Sequence, residues 1–122
     1  MSEAIIEARK AYIHNEVPVG GLIVDNTSKS IIVRGYNKMN NSFNPINHCE
    51  IALIFKACKK LQCKYLTNTT LFISLEPCIM CAAAISEAHI SKVYFSAYDE
   101  KKGGLDKLSF VFKKNNFFLP EI

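Results

Sequence analysis

The sequence predicts an α/β domain in which parallel strands are joined by crossover helices, and three observations carry that reading. The chain has 122 residues, and single domains centre on roughly 100–150 residues. Hydrophobic residues make up 49% and charged residues 21%, the balance of an ordinary globular protein. Along the second half, helical and strand-like segments alternate as strand, helix, strand, helix, strand, the order that places crossover helices between parallel strands.

Each element has its own signal. From Ser2 to about Asn15, Ile5, Ile6, Ala8, Ala11 and Tyr12 recur at helical spacing, with Ser2 as the expected N-cap. Val19 to Asp25 is a short apolar run containing Gly20-Gly21, read as a strand. Asn26-Thr27-Ser28 makes a turn, and Ile31 to Tyr36 is a second strand, so the two form a hairpin. Asn37 to Asn47, rich in Asn and holding Pro45, is a loop. His48 to Leu61 is a helix, with Ile51, Ala52, Ile54, Phe55, Cys58 and Leu61 on its apolar face. Thr69 to Leu75 is a strand ended by Glu76-Pro77, Cys78 to Ala88 a helix, and Lys92 to Ala97 a strand. Gly103-Gly104 breaks the chain before a short helix near Asp106 to Phe112 and a last strand at Phe117 to Leu119. No repeat, linker or low-complexity segment divides the chain, so 1–122 reads as one domain.

Composition excludes several classes. No apolar run approaches the roughly 18 residues of a membrane helix. Met1 to Lys10 carries Glu3 and Glu7 and lacks the basic-then-apolar order of a signal peptide. The net charge of +4, from 15 Lys+Arg against 11 Asp+Glu, permits a nucleic-acid partner without requiring one. The five cysteines, Cys49, Cys58, Cys63, Cys78 and Cys81, are an odd number with one tight C-x-x-C. A metal or redox site in a reducing compartment fits them better than a disulfide framework.

The chemistry gathers at two helix starts. His48-Cys49-Glu50 opens one helix and Pro77-Cys78-Ile79-Met80-Cys81 the next. Cys78 and Cys81, three apart, share a helix face and can grip one soft cation. A helix N-terminus also favours thiolates. Strands ending just before both helices bring these starts to one edge of the sheet, where open α/β sheets place their sites. His48, Cys78 and Cys81 supply three ligands, whereas a structural zinc has four and a catalytic zinc keeps a position for water. Cys58 lies ten residues beyond His48, a helical rise of about 15 Å, too far to join. Cys49 stays open as a fourth ligand. With an open site, Glu50 reaches the water without binding the metal and carries its proton to a substrate.

Other readings compete. Cys78-x-x-Cys81 alone is also a thioredoxin-like redox pattern, but that pattern needs no His-x-Glu and Pro77 precedes the motif. A closed zinc using Cys49 would be purely structural. His14 and His89 have no metal-binding company, and Cys58 and Cys63 read as small apolar fillers. Lys56, Lys59, Lys60 and Lys64 cluster near a helix C-terminus, where the helix dipole favours them, with phosphate contact as the alternative.

His48-Cys49-Glu50 and Pro77-Cys78-Ile79-Met80-Cys81, with 29 residues between His48 and Cys78, resemble the zinc-dependent cytidine/deoxycytidylate deaminase superfamily. Within it, Asn15-Glu16-Val17-Pro18-Val19-Gly20-Gly21, Gly35-Tyr36-Asn37 and Leu75-Glu76-Pro77-Cys78-Ile79-Met80-Cys81-Ala82-Ala83-Ala84 are most similar to the bacterial tRNA-specific adenosine deaminases. The resemblance runs from about residue 3 to about residue 110. It implies a three-layer α/β/α sandwich around a five-stranded mixed sheet, one Zn2+ per subunit held by His48, Cys78 and Cys81, and a cytoplasmic homodimer. It further implies hydrolysis of adenosine to inosine at the wobble position of a tRNA anticodon loop. The base is flipped into the pocket and attacked at C6, with Glu50 as proton carrier. Asn37 matches a position that bonds the base or nucleoside, Val17 and Pro18 match pocket walls, and Asp99 matches a loop near the nucleotide.

The sequence departs from this pattern in three places. Cys49 stands where the family usually has Ala. The chain ends at Ile122, about where the last strand should finish, so the family's final helix and basic tail are expected to be missing. The first helix is short. Two alternatives therefore stand beside the tRNA enzyme. One is a deaminase of a free base or nucleoside (guanine, cytosine or cytidine), against which the lidding C-terminal segment is lacking; His48, where cytidine deaminases carry Cys, argues against cytidine. The other is a truncated, inactive paralogue stabilised by zinc.

Overall fold

A computed structural model of the chain describes residues 1–40, 42–99 and 103. Its elements run α1 (Ser2–Ile13), β1 (Gly20–Asp25), β2 (Ile31–Tyr36), α2 (Cys49–Leu61), β3 (Thr69–Leu75), α3 (Ile79–Glu87) and β4 (Lys92–Ala97). Four strands form one mixed sheet in the order β2-β1-β3-β4. β1 and β2 make the expected antiparallel hairpin, Gly20 opposite Tyr36. Its turn is closed by the Asp25 carboxylate, which accepts the Thr27 N–H at 2.8 Å. β1 is also antiparallel to β3, and β3 is parallel to β4 across the α3 crossover. Thus β2 and β3 run the same way but flank β1, so the α2 crossover passes over one strand. The sheet has four strands among the described residues and not five. The strand expected at Phe117 to Leu119 and the helix near Asp106 to Phe112 lie outside those residues.

The two faces of the sheet are covered differently. Ile23, Leu71, Ile73 and Val93 point to α2 and α3, where Leu53, Ala57, Ala82 and Ile85 complete one apolar cluster. A fully buried aliphatic side chain of this kind contributes roughly 1.5–3 kcal/mol relative to exposure. On the other face α1 lies across β1, β2 and β3.

Both long helices bury a different stripe from the one their large apolar residues suggest. In α1 the buried residues are Ala4, Glu7, Ala8 and Ala11, while Ile5, Ile6 and Tyr12 are exposed. A close approach goes with this: a Cβ at Gly20 would collide with the α1 backbone at Glu7 and Ala8, and Ala4, Ala8 and Ala11 are the apolar residues on the buried stripe. In α2 the buried residues are Cys49, Glu50, Leu53 and Ala57, and Phe55, expected inside, is 69% exposed. Ser2 is likewise not the N-cap of α1. Met1 holds that place and no side chain caps the helix.

The far end of α2 closes through Gln62, in the left-handed region at φ 51°. The Cys63 N–H donates to the Cys58 carbonyl at 3.1 Å, the paired-carbonyl ending of a Schellman turn. Cys58 is half-buried and its thiol donates to the Lys64 carbonyl; Cys63 is exposed. Cys63 is therefore no core filler. Lys60 donates to the Ile32 carbonyl at 2.7 Å, which ties part of the basic cluster to the sheet.

Candidate metal centre and active site

His48 and Cys78 are the N-caps of α2 and α3, both with extended backbone (φ −65°, ψ 158° and φ −71°, ψ 175°) and neither making a side-chain cap hydrogen bond. An N-cap Ser, Thr, Asp or Asn stabilises a helix by about 0.5–2 kcal/mol over Ala. Both helices forgo this, and the two side chains are turned to each other instead. The Cys78 Sγ lies 3.7 Å and the Cys81 Sγ 3.5 Å from the His48 Nδ1. All three ligand atoms fall within 4.8 Å of one another. With Zn–S about 2.3 Å and Zn–N about 2.0–2.1 Å, a tetrahedral site has N···S edges of about 3.6 Å. The two observed edges straddle that value, so the donor set fits zinc in size as well as in chemistry.

Cys49 resolves the open question of a fourth ligand. Its thiol points to β2 and donates to the Gly35 carbonyl at 3.5 Å, and it packs into the apolar cluster. It is no member of the ligand group, which among the described residues consists of His48, Cys78 and Cys81. Burial pushes its thiol well up, and the Glu50 and Glu7 carboxylates add to that. We expect Cys49→Ala to keep one zinc per chain and to lower stability by about 1–2 kcal/mol through a lost buried sulfur. Metal analysis beside urea unfolding checks this, and loss of zinc would return Cys49 to the ligand set.

The electrostatics differ from the helix-terminus expectation. Burial pushes the Cys81 thiol up, and the Glu50 carboxylate and then Cys78 push it further. Desolvation and the neighbouring Glu50 outweigh the helix dipole here. Glu50 is 5% exposed. Burial raises its carboxyl to about 7, opposed by hydrogen bonds from its own N–H and from Cys81. The Cys81 thiol and the Glu50 carboxyl, crowded into one dry corner, both resist ionisation. A bound dication supplies the missing counter-charge.

Beside the three ligands opens a cavity of about 190 Å³. It is smaller than the roughly 300–1,000 Å³ of drug-sized sites and suits a single base-sized group. Val17, Asn37, Glu50 and Asp99 line it together with His48 and Cys78, whereas Pro18 is exposed and outside the lining. Asn37 is buried, and its Oδ1 accepts the Met39 N–H at 3.3 Å. Its Nδ2 has no protein partner among the described residues. The loop after β2 is anchored by Glu16, whose Oε1 accepts the Asn40 N–H at 2.9 Å. Val19, Met39, Leu75 and Glu76 also line the cavity. Sequence reasoning passed over them because they arrive from three separate connections, and only Glu76, a charged residue ending an apolar strand, carried a visible signal. His14 stacks on Tyr36 and His89 on Tyr65, both away from the ligand group.

A His/Cys/Cys metal set at two helix starts, with a buried carboxylate beside it, defines a zinc-dependent deaminase. Residues 1–97 match the family described as the cytidine and deoxycytidylate deaminase zinc-binding region, and the chain belongs to that family. It is a zinc-dependent hydrolytic enzyme with one Zn2+ per subunit. A tRNA-specific adenosine deaminase of Rickettsia bellii (strain RML369-C) is 38% identical over 123 residues, spanning all of this chain and 85% of that protein. A structure solved in a study of A-to-I editing by tRNA:A34 deaminases superposes with a TM-score of 0.92 at 36% identity, covering 99% of this chain and 87% of that one. Guanine deaminase from Bacillus subtilis superposes at 0.76 with 30% identity, covering 92% and 71%.

Proposed function

We propose that this chain hydrolyses adenosine to inosine at the wobble position of a tRNA anticodon. The observation that carries the reading is the base-sized cavity that places Glu50, Asn37 and Asp99 beside the His48/Cys78/Cys81 set. Similarity favours the tRNA substrate over free guanine: the tRNA:A34 deaminase structure is nearer in shape and sequence than the guanine deaminase. In this reading the whole chain acts as one deaminase domain and works in the cytoplasm.

In this reading His48, Cys78 and Cys81 hold the zinc, which supplies the Lewis acidity that makes water nucleophilic at neutral pH. Glu50 would carry one proton from the attacking water to N1 of the purine and a second, from the hydroxyl formed at C6, to the departing amine, so water and adenosine become inosine and ammonia. A carboxyl near 7 is matched to both halves of that task. The Asn37 amide donates to the base or sugar, Val17 forms part of the cavity wall, and Asp99 faces the sugar side. The base reaches the cavity only when flipped out of its stack, which an anticodon loop allows at small cost.

The active form is a homodimer. Phe55 on α2 and Ile79 and Met80 on α3 stay exposed on the outer helical layer, a face a second copy can cover. Phe55→Asp should shift the protein to a monomer in sedimentation, and an unchanged dimer would place the interface elsewhere. The substrate is tested by giving zinc-loaded protein an anticodon hairpin with adenosine at the wobble position and, separately, guanine, cytosine, adenosine and cytidine. Ammonia is expected from the hairpin alone. Ammonia from a free base alone would move the activity to the small-molecule branch, and silence on all would favour the inactive paralogue.

A further inference from the structure

We infer that Glu76 is a positioning residue for substrate, its buried carboxylate clamping Asp99 and Gly103 against the metal-ligand turn so that one wall of the base cavity keeps its shape. The inference rests on the deaminase reading of the cavity. Glu76 follows β3 directly, and its N–H donates to the Ala97 carbonyl at 2.8 Å, extending the β3–β4 ladder by one step. Its side chain is 7% exposed and lines the cavity without joining the metal ligands. The carboxylate Oε1 accepts the backbone N–H of Asp99 at 3.2 Å.

Gly103 closes the clamp from the other side. Its N–H donates to the Asp99 carbonyl at 2.8 Å, and it forms an isolated antiparallel bridge with Cys78. It presses on Glu76 so closely that an added Cβ would overlap the carboxyl and stand 2.6 Å from the Asp99 carbonyl. Only glycine fits. One side chain therefore holds Asp99, and through Gly103 the same corner is joined to the ligand Cys78. A carboxylate is expensive to bury, and neither ion pair among the described residues involves Glu76. An apolar residue would serve a merely packed corner better. The carboxylate is explained by the need to fix a backbone N–H at the rim of the site.

The test compares Glu76→Ala, Glu76→Gln and Gly103→Ala in the zinc-loaded full chain. Amide hydrogen exchange reads the clamp itself: the Asp99 amide is expected to be protected in the parent and in Glu76→Gln, and to exchange at least about tenfold faster in Glu76→Ala. Steady-state kinetics on the anticodon hairpin read its consequence. KM should rise about tenfold or more in Glu76→Ala, the size expected for a lost charge-assisted hydrogen bond, with kcat within about threefold and zinc retained. Glu76→Gln keeps the acceptor oxygen without the charge and should bring KM back most of the way to that of the parent. Gly103→Ala tests the same wall if Glu76→Ala does not fold, and should raise KM with Glu76 intact. A freely exchanging Asp99 amide in the parent, an unchanged KM in Glu76→Ala, or zinc lost in step with activity would overturn the assignment. A parent chain inactive on the hairpin, with its Asp99 amide protected, would instead overturn the tRNA reading and with it the role of the clamp in catalysis.

Discussion

Glu50→Gln should abolish deamination while leaving zinc and fold in place. The substitution keeps the shape of a side chain that is almost wholly buried but removes its capacity to carry a proton. General acid–base catalysis is worth about 10²–10⁴ in rate, and kcat on the anticodon hairpin should fall at least that far. The zinc content should stay at one per chain, because Glu50 stands outside the ligand group. In the zinc-free chain, removing a buried carboxyl that resists ionisation also relieves a desolvation cost, so the zinc-free variant should be at least as stable as the zinc-free parent near neutral pH. The sign follows from the raised value. A carboxyl lifted from 4.5 to about 7 weakens the fold as pH climbs through that interval, and Gln has no charge to acquire. A variant that retains a tenth or more of the parent kcat would remove Glu50 from the chemistry.

Cys81→Ala should cost both metal and stability. Cys81 is fully buried, one turn into α3, and its Sγ lies 3.5 Å from the His48 Nδ1. With two ligands left, zinc is no longer held tightly. Metal binding is linked to folding, since the ligand set does not persist in the unfolded chain. The melting temperature should drop by about 5 °C or more, as expected for the loss of one or more kcal/mol in a domain of this size. A chelator should lower the melting temperature of the parent but not that of the variant. Equal melting temperatures for parent and variant at saturating zinc would mean that His48, Cys78 and Cys81 do not bind the metal together.

Much of the fold was legible because its signals are local. β2, β3 and β4 occupy the residues their apolar runs mark out, since Asn37, Glu76-Pro77 and the turn residues stop them on either side. Pro77 and His48 set the two helix starts to within a residue. The order of the strands was not legible. β1 inserts between β2 and β3, and no local pattern distinguishes a crossover that skips a strand from one that does not. The helix faces were misread for a physical reason. Large apolar residues are taken to face inward, yet at Gly20 the sheet and α1 come so close that a Cβ there would meet the helix backbone, and in α2 the inner face carries Glu50 while Phe55 is left outside.

The site divides in the same way. His48, Glu50, Cys78 and Cys81 could be named from spacing because His48 with Glu50, and Cys78 with Cys81, each sit within one turn of a helix start, and the fold brings His48 to the two cysteines. The exclusion of Cys49 required its rotamer, which spacing leaves undetermined; only the contact with the Gly35 carbonyl decides it. The cavity rim was less visible still, because Glu76, Asp99 and Gly103 meet through backbone hydrogen bonds that leave no residue pattern.

The most direct test of the central claim is the site-resolved mapping of inosine in an anticodon hairpin treated with the zinc-loaded protein, with adenosines placed at the wobble position and at neighbouring loop positions. The account predicts inosine at the wobble position, absent from the same RNA treated with Glu50→Gln. Inosine spread evenly over the loop, or none while free guanine is deaminated, would contradict it.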